Sequence, residues 1–210
     1  MSKIDEIGLA VETGKAKNIE ALVTEALAEG IPALEILNNG LEAAMARIGD
    51  KFQKNEVFVP ELLVAARAMK KAVAVLKPSL AGLDNVSLGK CIIGTVQGDL
   101  HDIGKNLVAL MLEGAGFEVI DLGVDVAPEQ YVAAIKEHPD VRIVGLSGLL
   151  TTTLSNMKLT IEAIKASGLS GFKIIVGGAP VTQLFAEQIG ADGYSEDAGG
   201  AAVLAKKLAS

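Results

Sequence analysis

The chain of 210 residues has no tryptophan, one cysteine and two histidines, and aromatic side chains make up only 3% of it. A lone cysteine, Cys91, excludes a disulfide framework and any thiolate-based zinc site, and its apolar neighbours mark it as a buried, reduced thiol. With only His101 and His138, a histidine-rich metal cluster is excluded, so metal or base chemistry must pass through one of them or through carboxylates. The 19 lysines and arginines are outnumbered by 26 aspartates and glutamates, a formal net charge of −7, and form no basic block. Nucleic acid and anionic membrane surfaces are therefore poor partners. The longest charge-free stretch in the apolar regions, Ile143 to Met157, is too short and too polar to span a bilayer, and Met1 to Glu6 opens without an apolar signal segment. Half of the residues are hydrophobic, which is enough for a full core and excludes disorder. These features describe a soluble cytoplasmic protein of one or two domains.

Two kinds of periodicity follow one another. From residue 1 to about 77 the pattern is helical only. Weak stripes (Ile4, Ile7 and Val11; Ala21, Leu22, Ala26 and Leu27) place helices near 3–13 and 17–29. Stronger ones run through Leu34, Leu37, Leu41, Ala44, Met45 and Ile48, and through Leu62, Ala66, Met69, Val73 and Leu76. Gly30, Ile31 and Pro32, and later Pro60, mark the breaks, with both prolines suited to a first helical turn. Four short helices with tight connections predict a small four-helix bundle over 1–88, with a linker at about 78–88 where Lys77-Pro78-Ser79 ends the pattern.

Residues 89–210 alternate instead. Apolar, β-branched runs at Cys91–Val96, Phe117–Leu122, Val141–Leu146, Lys173–Val176 and Gly193–Tyr194 are each followed by a helical stretch, near 103–115, 128–138, 152–167, 181–189 and 198–208. Five such units predict an α/β domain, a doubly wound, flavodoxin- or Rossmann-like sheet of five parallel strands.

Ligands of such sheets bind beyond the carboxyl ends of the strands, where strand order reverses. The loop after strand one runs Gly98-Asp99-Leu100-His101-Asp102-Ile103-Gly104-Lys105. His101 can ligate a metal through one ring nitrogen if an acceptor holds the other N–H, and Asp99 is placed to do so. One protein nitrogen cannot hold a free transition metal, so the metal would arrive already chelated in a macrocycle. The plainer alternative is that Asp99 caps the helix starting near Ile103 and His101 merely sits in a loop. After strand three, Ser147, Thr151, Thr152 and Thr153 exceed what one helix cap needs and could line a polar pocket. After strand four, Gly177-Gly178 would let a flat ring lie on bare backbone, or would simply make a tight turn. No dinucleotide or triphosphate glycine motif is present. His138 ends a helical stretch and is given no catalytic role.

Together these loops resemble the cobalamin-binding family. Gly98-Asp99-Leu100-His101-Asp102-Ile103-Gly104 matches its D-x-H-x-x-G signature, Ser147-Gly148-Leu149 its S-x-L element and Gly177-Gly178 its Gly-Gly element. The stretches Gly49 to Phe52 and Val57 to Leu63 resemble the helical cap of methionine synthase and of corrinoid methyl carriers. The resemblance implies a base-off, His-on cobalamin with His101 as lower ligand to cobalt, Asp99 and Thr153 completing a hydrogen-bond relay with it. It implies that Gly98, Asp102, Ile103, Gly104, Ser147, Leu149, Thr151, Gly177 and Gly178 contact the cofactor, and that Phe52 and Val59 cover the upper, methyl-bearing face. Thr153 stands where the family has a serine, and Val59 is smaller than the leucine familiar there. The implied function is a methyl carrier cycling between cob(I)alamin and methylcobalamin. A substrate-specific methyltransferase would load it, a second one serving a thiol or tetrahydropterin would unload it, and a reductive activator would maintain it. On its own it would be no catalyst. The rivals are a subunit of an adenosylcobalamin-dependent isomerase, a cobalamin-based regulator, and a cofactor-free signalling domain.

Overall fold

The computed structural model describes residues 1–80 and 88–209, which divide into two units, the helical region with Glu113–Gly116 and the remainder.

The first unit holds helices α1 (Lys3–Glu12) and α2 (Ile19–Ala28), and a third run made of α3 (Ala33–Glu35), a π-helical segment (Ile36–Glu42) and α4 (Ala43–Gln53). It closes with α5 (Val59–Leu80). Ser2 and Asp5 form a reciprocal cap at the start of α1, each side chain accepting the other's backbone N–H at 3.1 and 2.9 Å. The π-helical segment carries Asn38-Asn39-Gly40, weak helix formers that tolerate the wider turn. Its Gly40 and Gly8 of α1 are buried where the two segments meet, and a Cβ on Gly8 would lie 3.4 Å from the Gly40 carbonyl. Arg47 and Lys51 of α4 reach the Glu12 carboxylate at 2.6 and 3.1 Å, tying α4 to α1.

Three details depart from the sequence pattern. The inward face of α2 is Ile19, Val23 and Ala26, not Ala21 and Leu22, and Leu34 is exposed while Ala33, Ile36 and Leu37 are buried. The helices are also not all short, since α5 spans 22 residues. Finally, α5 passes through Pro78. A proline one turn from a helix end removes a single backbone bond, and Leu80, four residues after Leu76, is buried at 6% exposure and extends the stripe. The expected linker therefore starts no earlier than residue 81, and its 81–87 part lies outside the described residues.

The second unit is a five-stranded sheet, all parallel, in the order β2-β1-β3-β4-β5. The strands are β1 (Lys90–Thr95), β2 (Glu118–Asp121), β3 (Val141–Ser147), β4 (Lys173–Gly177) and β5 (Gly193–Ser195). Between and after them run α6 (Ile103–Gly114), α7 (Pro128–Glu137), a 3₁₀ turn (Thr151–Thr153) with α8 (Leu154–Ala166), α9 (Gln183–Ile189) and α10 (Ala198–Ala209). One sheet face (Ile92, Val144, Leu146, Ile174, Val176) packs with Tyr131, Ile135, Met157, Ile161, Ile164 and Ile189 of α7, α8 and α9. The alternate residues Cys91, Ile93, Ile143 and Ile175 are buried too, as β-pleat demands, while α10 packs on β3, β4 and β5 through an alanine face. Burial pushes the Cys91 thiol up to about 12, which keeps it protonated. The order reverses between β1 and β3, so the loops leaving these two strands flank the switch point.

Candidate functional site

The loop after β1 turns sharply at Gly98, whose φ of +83° is the left-handed backbone that glycine adopts without strain. Asp99 follows, fully buried, and its Oδ1 accepts the His101 backbone N–H at 3.1 Å. This Asx turn gives the D-x-H spacing a physical reason. The turn brings the His101 ring back over the same oxygen, with Nδ1 2.7 Å away. The other oxygen, Oδ2, accepts the Leu149 and Leu150 N–H groups at 2.7 and 3.0 Å and the Thr153 hydroxyl at 3.0 Å. Burial opposes the charge on Asp99, but the His101 ring and these backbone N–H groups outweigh it and hold the carboxyl well below the usual carboxylate range.

The tautomer follows from this. An ionised carboxylate only accepts, so the hydrogen shared with His101 sits on Nδ1 and leaves the Nε2 lone pair available. The His101 side chain is 51% exposed, so this donor is accessible. Thr153, 4% exposed, has one hydroxyl hydrogen and two acceptors, Asp99 Oδ2 and the Leu150 carbonyl at 2.8 Å. Asp99 makes no hydrogen bond to the first turn of α6, so its carboxylate ties the loop after β3 to the ring and does not serve as that helix's cap. Asp102 instead accepts Asn106 through both backbone and side chain.

The two loops that Asp99 joins expose apolar side chains: Leu100 is 72% and Ile103 85% exposed, with Leu149 and Leu150 at 43% and 40%. Gly104 lies in α6, where alanine would favour the helix, yet a Cβ there would meet nothing within 4 Å. Among the described residues no three histidine, cysteine or acidic groups gather to hold a bare metal ion. One imidazole nitrogen, an apolar shelf and a glycine that leaves open space fit a metal already held in a large flat ligand.

The other expected site residues are placed as follows. Ser147 ends β3, and its carbonyl accepts the Val96 N–H. Thr151 is exposed. Gly177 pairs with Ser147 across β3 and β4, and its carbonyl accepts the Gly148 N–H at 3.2 Å. Gly178, at φ +128°, has a requirement internal to the chain, since a Cβ there would lie 1.9 Å from the Gly148 carbonyl oxygen. Phe52 is half-buried near the end of α4 and Val59 is exposed at the start of α5, both in the helical unit.

Three residues beyond the motifs also hold the histidine loop. Thr95, fully buried, donates its hydroxyl to the His101 carbonyl at 2.9 Å. The Asn156 amide donates to the Gln97 carbonyl at 2.7 Å, and Asp125 accepts the Gly98 N–H at 2.7 Å. The signal for Asp125 is topological, because β2 neighbours β1 and the loop after β2 must border the histidine loop.

Comparison with known proteins bears on this geometry. Residues 89–203 match the model of a B12 binding domain, and residues 3–77 match a second B12 binding domain model. A corrinoid protein of Desulfitobacterium hafniense is 39% identical, covering 99% of this chain and 98% of its own. Dimethylamine corrinoid protein 3 of Methanosarcina acetivorans is 42% identical over 98% of this chain and 96% of its own. Among solved structures, the methanol:cobalamin methyltransferase complex of Methanosarcina barkeri superposes with a TM-score of 0.85 at 26% identity, covering 99% of this chain and 79% of that one. No helix among the described residues is long and apolar enough to cross a membrane.

Proposed function

The chain belongs to the corrinoid proteins of the B12-binding family, and from that premise we propose that it carries methyl groups on a cobalamin whose lower ligand is His101, with the cofactor's own base displaced. A substrate-specific methyltransferase would load it and a second methyltransferase, acting on a thiol or tetrahydropterin, would unload it, with a reductive activator to restore lapsed cofactor. The donor is chosen by the loading enzyme. When bound, cobalamin supplies the cobalt that holds the methyl group.

The observation that carries this reading is the locked imidazole: Nδ1 tied at 2.7 Å to a buried carboxylate, Nε2 free on a half-exposed ring. Asp99 fixes ring direction and tautomer, and Thr153 can turn its hydroxyl hydrogen toward Asp99 or toward Leu150 as the demand on the carboxylate changes. Leu100, Ile103, Leu149 and Leu150 exclude water from the ligand's lower side. On this reading Gly98, Asp102, Gly104, Ser147, Thr151, Gly177 and Gly178 would meet the lower face and tail of the cofactor. End-to-end likeness to corrinoid relatives supports carriage over the isomerase reading.

Two substitutions test it. His101→Ala should leave a folded protein that binds cobalamin more weakly, by at least the roughly 10- to 100-fold lost when a group behind a metal ligand is removed, with a visible spectrum without nitrogen ligation from below. Unchanged spectrum and affinity would sink the assignment. Gly104→Ala should raise the stability of the cofactor-free protein by about 0.5–1 kcal/mol, the helix preference of alanine, while weakening cobalamin binding. Equal affinity in titrations of both proteins would show that nothing occupies the space above residue 104.

A further inference from the structure

The loop from Gln97 to Asp102 carries His101 but owes its shape to residues outside it. Asp125 is bound to it twice: its carboxylate accepts the Gly98 N–H at 2.7 Å, and its own N–H donates to the Asp99 carbonyl at 3.0 Å. Asp125 makes this pair with φ +53°, a left-handed conformation uncommon outside glycine and enriched in aspartate. A backbone held there persists only where its surroundings fix it; the bonds of Gly123 and Val126 to Thr95 hold the segment on either side, and the two bonds to residues 98 and 99 hold Asp125 itself. From another side Asn156 of α8 holds the Gln97 carbonyl, and from below the Thr95 hydroxyl holds the His101 carbonyl. The tethers thus reach the loop at residues 97, 98, 99 and 101, from β1, from the loop after β2 and from α8.

We propose that Asp125, supported by Asn156 and Thr95, is a positioning residue that sets the aim of the His101 ring. The Asp99 carboxylate fixes which nitrogen faces outward. It does not fix where the loop stands, because Asp99 is part of the loop and moves with it, except through its bonds to Leu149, Leu150 and Thr153. Asp125 ties the opposite flank, at the Gly98 turn, so that the segment is gripped on both sides of the residue that orients the ring. Removing that grip leaves the Asp99–His101 pair intact but frees its mounting. The effect therefore falls on ligand capture and not on folding, since Asp125 is exposed and contributes nothing to the core. This inference rests on the reading of His101 as the metal's ligand.

Three variants at one position separate the contributions. Asp125→Asn keeps an oxygen acceptor and a residue that tolerates left-handed backbone. Asp125→Gly keeps the conformation and removes the acceptor. Asp125→Ala removes both. Amide hydrogen exchange of residues 97–102 in the cofactor-free protein reports the clamp, and cobalamin titration with the visible spectrum reports its use. Asp125→Gly should exchange faster in this loop and bind cobalamin about tenfold more weakly, the usual scale for a group behind a metal ligand, with the global denaturation midpoint unmoved. Asp125→Asn should recover both properties. Wild-type exchange in Asp125→Gly would overturn the proposal, as would an affinity loss that follows global stability and is not recovered by asparagine. His101→Ala, run alongside, isolates the underlying reading: if its spectrum matches wild type, ligation by His101 fails, while loop exchange still decides the clamp.

Discussion

Asp99→Ala is expected to remove about 3 kcal/mol of folding stability and, with His101 as the proposed ligand, to abolish its directed ligation of cobalt as well. The carboxylate accepts from three backbone N–H groups, one ring nitrogen and one hydroxyl, at distances of 2.7–3.1 Å. Each donor left buried and unpaired costs about 1–3 kcal/mol, and the partial exposure of Leu149 and Leu150 lets water offset some of that. Denaturant titration should show a lower midpoint at unchanged slope; a midpoint matching wild type would refute the account of the Asp99 carboxylate as the knot between the loops after β1 and β3.

Asparagine at position 99 is the sharper test. Both carboxylate oxygens face N–H donors, so either amide orientation sets an NH₂ against hydrogens. If the amide nitrogen faces the ring, His101 must accept on Nδ1 and carry its hydrogen on Nε2, the tautomer that cannot ligate a metal. The pH dependence has a definite sign. The native carboxyl lies below its unfolded value of about 3.9, so its contribution is complete above that value and disappears as pH falls through the native one. The stability gap between wild type and Asp99→Asn should therefore be widest near neutrality and narrow below about pH 4. A gap constant from pH 7 to pH 2 would contradict this.

The second large effect is expected at Gly178. Alanine there places Cβ 1.9 Å from the carbonyl oxygen and 2.8 Å from the carbonyl carbon of Gly148, with φ at +128°. The obstructing atoms are backbone, and Gly148 precedes the two N–H groups that hold Asp99. Relief requires moving the turn after β3, so Gly178→Ala should lose more than about 4 kcal/mol, beyond the usual range of single substitutions, and lose cobalamin binding with it. Gly168→Ala is the control. It also has positive φ, at +72°, but meets nothing within 4 Å, so thermal melts should show a loss of only about 1 kcal/mol from backbone strain. Equal losses in the two variants would mean that conformation, not the approach to Gly148, sets the requirement.

These cases show what the sequence could and could not disclose. The central parallel strands were legible because a sheet covered on both faces needs near-continuous apolar runs, which Cys91–Val96 and Ile143–Leu146 supply. The pairing of Asp99 with His101 was legible because an Asx turn acts over two residues. The π-helical stretch was not, since Leu34, Leu37 and Leu41 fit either winding, and Leu34 proves to be exposed. Pro78 reads locally as a stop, but burial of Leu80 outweighs one lost bond. The Gly177-Gly178 pair reads as room for a ring, and its second glycine is already required by Gly148. Asp125 and Asn156 leave no local trace, because they act 27 and 59 residues from their partners.

The long reach of Asp99 has a consequence for how the site comes into being. The partners of its carboxylate outside its own turn lie 50 to 54 residues further along the chain. While a ribosome is still emitting β2 and α7, the imidazole already exists but its acceptor has no anchor on the far side. The grip on that far side thus arrives only when the threonine turn following the third strand folds into place, and a product cut short before it would present the imidazole without that grip.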